Sequence, residues 1–256
     1  GWGAAGACAA LEARSKGCEV MVADRFTGGG ASAKSGGVVY AGGGTQQQQD
    51  AGFNDSPQAM FDYLKHETQG VISDVTLHNV CADSVSNLNW LEGHGARFAH
   101  SVPPGGKTSY PSDGYFLYYS GNEKVPSYAG SQPPAPRGHR TVGKGQCGAV
   151  LYAQLKDACL RAGVQPLLQS AARRMVVDAT GRVVGAELWS LPAGSREAHL
   201  HARLAARAER LQNFAPGYCD RLRQKVAQLE HDHAQPILVR ARLGVILSTG
   251  GFIFNR

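Results

Sequence analysis

The chain begins GWGAAG, and Gly1, Gly3 and Gly6 carry the spacing G-x-G-x-x-G. No other feature constrains the fold as strongly. The first glycine permits a tight turn, the second lets backbone approach a diphosphate, and the third lets a helix pack against a strand. Such a turn normally joins a strand to a helix, so that backbone N–H groups and the helix N-terminus face the anion. The strand that should feed it is absent from the sequence, and the chain reads as a fragment cut inside its first motif.

Alone, the spacing is weak evidence. The segment ACAALEARSKGC predicts a helix of small residues stopped at Lys16-Gly17, and EVMVAD predicts a short strand ending at Asp24. A carboxylate about twenty residues beyond the glycine turn is placed to accept hydrogen bonds from a ribose diol. Directly after it comes RFTGGGASAKSGGVVYAGGG. There Gly28–Gly30 and Gly36–Gly37 free the backbone for positive φ and contact with a flat ligand, while Ser32 and Ser35 offer hydroxyls to phosphate or flavin. A nicotinamide dehydrogenase would share the first two features and has no need of the third.

The 256 residues, 43% hydrophobic and 18% charged, suffice for one large or two modest domains. The net charge of +6 is concentrated late: residues 195–256 hold ten Lys/Arg against five Asp/Glu. Without an aromatic-interleaved basic stripe, this reads as a solvated helix face and excludes nucleic acid as the expected partner. Contact of that face with an anionic membrane, as a weak association, is the other use of such charge. The six cysteines show neither C-x-x-C nor zinc spacing, which predicts no metal site and a reduced, cytoplasmic protein. His231 and His233 in HDH end a charged helix and read as solvated.

Further along, Ser56 and Pro57 open a helix over SPQAMFDYLKHETQ, and Asp74 is expected to cap one amphipathic helix running to Gly93–Gly95. Seven prolines between residues 103 and 136 rule out a long helix, so 99–143 reads as a long aromatic, Pro-rich loop. GAVLYAQLKDACLRAG predicts a helix feeding a small sheet of VQPLL, RRMVVD and RVVGAELW. Residues 194–235 predict a helical hairpin broken near Pro216, and LGVILS predicts an apolar strand before a Thr-Gly-Gly turn.

These glycine loops resemble the FAD-binding fumarate reductase/succinate dehydrogenase flavoprotein family. Within it the likeness is to the 3-ketosteroid dehydrogenases of the Δ4-(5α) type, through GGGASAKSGGVVYAGGGT, KTSYPSDGYFLYYSGNE, PAPRGHRTVGKG and GVILSTGGFIFNR. The resemblance implies an α/β, Rossmann-like FAD-binding domain over residues 1–256, partial in that the first strand, the cap domain and the C-terminal return are absent. It further implies a small extra sheet and a helical-hairpin insertion. By the same likeness Gly1, Gly3 and Gly6 hold the FAD pyrophosphate, and Asp24, with Arg25 beside it, the adenosine ribose. Gly30, Ser32, Ser35, Gly36 and Gly37 hold the pyrophosphate and isoalloxazine, Ala172 the adenine, and Thr249, Gly250 and Gly251 a second glycine turn. Flavin-linking members carry a His where this chain has Gly30 or its neighbours, so FAD is expected to be non-covalent.

The implied chemistry is oxidation or reduction of a CH–CH bond next to a ketone, with proton removal α to the carbonyl and hydride transfer to flavin N5. A small apolar ketone, a steroid, is the implied substrate, and an external electron acceptor the implied partner. Tyr118, Tyr119, His139 and Arg140 are weak catalytic candidates; the base is expected outside this sequence. A fumarate reductase-like flavoprotein and an FAD-binding fragment without activity of its own are the alternatives.

Overall fold

A computed structural model describes residues 1–129 and 133–251. In chain order its elements are α1 (Ala4–Ser15), β1 (Met21–Ala23), α2 (Gly30–Lys34), β2 (Val38–Tyr40), α3 (Gln46–Asp50), α4 (Pro57–Thr68), α5 (Asp74–Ala82), α6 (Ser84–Gly93) and β3 (Leu117–Tyr118). There follow α7 (Pro126–Ala129), β4 (Gly138–Arg140), α8 (Gly148–Arg161), β5 (Gln165–Leu167), β6 (Ser170–Val177), β7 (Val183–Ser190), α9 (Arg196–Leu211), α10 (Pro216–His233) and β8 (Gln235–Arg240). They form two compact units, one of residues 1–30 with 159–256 and one of residues 31–158.

In the first unit β1 and β5 pair in parallel, Val22 opposite Pro166, and the pairing continues past the strand where Asp24 N–H donates to Leu167 C=O. Asp24 therefore sits at the carboxyl end of a parallel strand, where open α/β sheets bind ligands. VQPLL thus joins β1 instead of the small sheet in which the sequence suggested it. That small sheet is antiparallel, in the order β6-β7-β8. The two helices α9 and α10 bury Ala208, Cys219 and Leu222 against Leu204 and Leu211.

The expected strand over LGVILS does not form: β8 ends at Arg240, and Leu243, Ile246 and Leu247 are exposed. An apolar run becomes a strand only where another strand accepts its backbone groups, and among the described residues none does. Phe252–Arg256 of GVILSTGGFIFNR lie outside the described residues.

The second unit centres on a sheet in the order β2-β4-β3, so the Pro-rich stretch ends in a buried central strand. Ser56 caps α4 as expected, its Oγ accepting from Ala59 N–H, and Pro57 occupies the first turn. The single helix expected over 74–95 is two. Asp83, at φ −87° and ψ −2°, closes α5 through an N–H to Asn79 C=O and serves as the N-cap residue of α6. The cap of α5 is Ser73, not Asp74, its Oγ accepting from Thr76 N–H.

Candidate functional site

The glycine turn is built by backbone crowding. A Cβ on Gly1 would overlap the Ser248 carbonyl, and one on Gly6 would overlap the Gly1 carbonyl, so neither position admits a larger residue without movement. Gly3 is the N-cap residue of α1, makes no side-chain cap bond of its own, and the first turn holds no acid. A helix N-terminus in this position suits an anion. Ser248 Oγ donates to Gly1 C=O at 2.8 Å, which brings the Thr249–Gly251 turn beside the first glycine loop.

Trp2, fully buried, ties three predicted elements together. Its N–H donates to Asp24 Oδ2 at 2.7 Å, and its carbonyl accepts from Gly29 N–H at 2.8 Å. Asp24 Oδ1 accepts from Phe26 N–H at 2.8 Å. A carboxylate offers about four acceptor sites, so these two bonds orient Asp24 and leave capacity for a diol. Sequence reasoning assigned no role to Trp2, because the backbone of the variable position in G-x-G carries no signature. Arg25 turns instead to Glu230 of α10, with Nη2 at 2.8 Å from Oε2. Ala172 is exposed on β6 beside a register shift between Ala172 and Arg174, where a bulge re-aims the backbone.

In the second unit the predicted loop is held by main-chain bonds. Ser35 Oγ donates to Ser32 C=O and accepts from Gly37 N–H. Thr141 donates both its N–H and its Oγ1–H to Gly37 C=O. At Gly36 a Cβ would lie 2.5 Å from Tyr110 Cε2, and at Gly37, with φ +66°, it would overlap the Cys147 carbonyl. The close approach that demands glycine at these two positions is thus already made within the protein.

The four weak catalytic candidates are buried. Tyr118 stacks edge-on against Tyr110, and Tyr119 donates to Pro134 C=O at 3.3 Å. His139 and Arg140 are successive residues of β4, so their side chains leave opposite faces of the sheet. His139 Nδ1 lies 3.1 Å from Arg137 C=O, which makes it the protonated nitrogen and Nε2 the acceptor of the Thr45 hydroxyl at 2.8 Å. Burial pushes its pKa down to about 4. Arg140 spends all five N–H groups on the protein: Tyr110 Oη, the Ser112, Tyr115 and Gly145 carbonyls, and Asp113 Oδ1.

Beside them lies a polar network that the sequence did not single out. Arg137 pairs with Asp55 through two bonds, and Gln48 Nε2 donates to Asp55 Oδ2 and Pro136 C=O while its Oε1 accepts from Gly44 and Thr45 N–H. Glu123 is buried, accepts from Gly121 N–H, and its carboxyl is pushed up by burial. Among the described residues no cluster of three or more His, Cys, Asp or Glu could hold a metal, and no helix is long and apolar enough to cross a membrane.

A protein of Comamonas testosteroni described as 3-oxo-5-alpha-steroid 4-dehydrogenase is 52% identical over 208 residues, 80% of this chain and 39% of the relative. The structure of 3-ketosteroid-delta4-(5alpha)-dehydrogenase from Rhodococcus jostii RHA1, in complex with 4-androstene-3,17-dione, superposes with a TM-score of 0.70 at 33% identity, covering 74% of this chain and 41% of that one. A flavocytochrome c3 fumarate reductase shares the fold at 24% identity and a TM-score of 0.56, covering 74% of this chain and 29% of that one. The chain thus spans about two fifths of the length of its steroid-dehydrogenase relatives. The model of the FAD binding domain matches residues 1–254, and the chain belongs to that family.

Proposed function

We propose that this chain is the FAD-binding part of an oxidoreductase acting on a CH–CH bond next to a ketone, with a 3-ketosteroid as substrate and an external electron acceptor. The observation that carries the cofactor reading is the union of a helix N-terminus entered through Gly3, two glycines with no room for a Cβ, and an oriented Asp24 at the end of a parallel strand. These residues fit a dinucleotide such as FAD. Gly1, Gly3 and Gly6 would face the pyrophosphate, Asp24 the ribose, and Ala172 the adenine. Ser32, Ser35, Gly36 and Gly37 would border the flavin end, with Gly30 before them and Thr249–Gly251 beside the first loop. Arg25 would frame the ribose end through its pairing with Glu230.

When bound, FAD supplies the two-electron acceptor or donor. The chain's part is to bind and orient it, with an apolar substrate held by the surface it buries, at about 25 cal/mol per Å². We place the proton-transferring base outside His139 and Arg140, since their polar atoms are engaged by the protein. The α9–α10 pair, within 194–235, is read as an insertion in this domain, and its basic face as the surface for any weak membrane association.

The steroid reading rests on the likeness to the two steroid dehydrogenases and on the aromatic, cation-poor DGYFLYYSG segment. Fumarate, as a small dianion, needs several Arg or His donors to replace its water. Assays of the full-length enzyme on 5α-3-ketosteroids with an artificial acceptor, and on fumarate with a reduced viologen, separate the two. Turnover of fumarate with none of any ketosteroid would reject the steroid.

Two further outcomes are expected. Acid precipitation should release the flavin into the supernatant, because no His occupies residues 28–37; flavin retained on the denatured chain would show a covalent link. Asp24→Ala should weaken FAD binding by about 1.5–3 kcal/mol, the worth of a charge-assisted hydrogen bond, or roughly 10- to 150-fold in Kd. A titration of flavin fluorescence showing an unchanged Kd would move the ribose elsewhere.

A further inference from the structure

Arg25 follows Asp24 directly, and a guanidinium free to swing at that position would compete with a ribose diol for the carboxylate. The structure provides it with another partner. Glu230 accepts from Arg25 Nε at 2.9 Å and from Nη2 at 2.8 Å, through different oxygens, so the pair is bidentate. Its carboxylate is itself fixed. His201 Nε2 lies 3.0 Å from Glu230 Oε1, with the His201 side chain 1% exposed and that of Glu230 10%.

The direction of that bond follows from the next one. Gln169 Nε2 donates to Ala198 C=O, which can only accept, and this identifies the nitrogen end of the amide. The same NH2 group therefore donates to His201 Nδ1 at 3.1 Å, and the ring proton is on Nε2, pointing at Glu230. The backbone closes the ring of contacts: Gln169 N–H donates to Phe26 C=O at 3.0 Å, and the Phe26 ring stacks on His201 with centroids 5.7 Å apart. Arg25 Cζ lies 5.2 Å from the centroid of the same Phe26 ring. Burial alone would push the Glu230 carboxyl up, but His201 and Arg25 together hold it below the usual carboxylate range. An arginine fixed this way by a largely buried acid is not the loose surface pair that salt screens away.

We infer that Glu230 is a positioning residue for the adenosine end of the FAD site: held by His201 and Gln169, it clamps Arg25 so that the Asp24 carboxylate stays available to the ribose diol. The inference rests on the assignment of Asp24 to the ribose. It also gives the α9–α10 pair a task at the cofactor, since His201 is on α9 and Glu230 on α10.

The test is a titration of FAD into apoprotein, read as quenching of flavin fluorescence, with the far-ultraviolet spectrum as a check on folding. Glu230→Gln preserves shape, removes the charge, and is expected to raise Kd by about tenfold or more, which corresponds to roughly 1.4 kcal/mol. Adding Arg25→Ala to that variant should return Kd to within about threefold of wild type, because the liberated guanidinium is gone. Glu230→Gln binding as tightly as wild type, or a double variant as weak as Glu230→Gln, would overturn the inference. If Glu230→Gln does not fold, Arg25→Ala alone decides: an unchanged Kd supports the clamp, and a loss of about tenfold makes Arg25 a direct ligand and overturns it. Wild-type protein that takes up no FAD would reject the cofactor reading and the inference together, and is thereby distinguished from failure of the inference alone.

Discussion

Replacing Asp55 by alanine is expected to destabilise the unit of residues 31–158 by about 3–5 kcal/mol, the cost of stripping one partner from a buried ion pair. The side chains of Arg137 and Asp55 are 4% and 1% exposed, and two bonds of 3.0 and 2.7 Å join them. Asp55 Oδ2 also accepts from Gly43 N–H and from Gln48 Nε2. The substitution would therefore leave a guanidinium, the Gly43 N–H and one of the two Gln48 amide N–H groups without their acceptor in a dry place, the other still reaching Pro136 C=O, and each costs more unsatisfied than its bond contributes when made. Replacing Asp55 and Arg137 together by apolar residues of similar volume should cost clearly less than the single change, because no uncompensated charge remains. Urea unfolding of the three proteins measures both quantities. A single variant within about 1 kcal/mol of the parent would show that water reaches the pair.

The second large effect is on pH. Between pH 6.5 and about 4 the same unit should lose about 3 kcal/mol of stability through His139 alone. In the unfolded chain this imidazole takes a proton near pH 6.5, whereas in the fold burial holds its pKa down to about 4. Within that window the unfolded state binds more protons, so stability is complete above it and falls as the pH falls. Glu123 acts in the opposite sense, since burial pushes its carboxyl up and protonation then favours the fold. The measurement is a series of urea midpoints from pH 7 to 4 for the parent and His139→Asn. The variant should show the shallower decline, and equal slopes would remove His139 as the cause.

Both predictions concern residues the sequence showed poorly, for a physical reason. The Ser56 cap and the helices α1, α4 and α8 were legible because each depends on neighbours within a few residues, and the glycine turn with an acid some twenty residues beyond it because the spacing is a recurrent pattern. Asp55 and Arg137 meet across 82 positions, and Arg25 and Glu230 across 205. Nothing local marks a charge as buried when its partner is so distant. Glu123, in SGNEK, has the composition of a solvated loop, and QQQQ gave no hint that Gln48 would bond four groups. The break at Asp83 was missed because neither glycine nor proline announces it. At LGVILS the apolar run showed a segment suited to burial, but apolarity does not name the strand that would receive it.

The acceptors around Arg140 have a consequence for how this protein can change over time. Three of its five N–H groups end on the main-chain carbonyls of Ser112, Tyr115 and Gly145. Any amino acid supplies a carbonyl. The path of the 110–116 loop is therefore secured by one inherited arginine, together with Tyr110 and Asp113, while the side chains at 112 and 115 can be exchanged without loosening the hold. A protein that keeps the arginine can therefore carry different side chains on this loop at little structural risk.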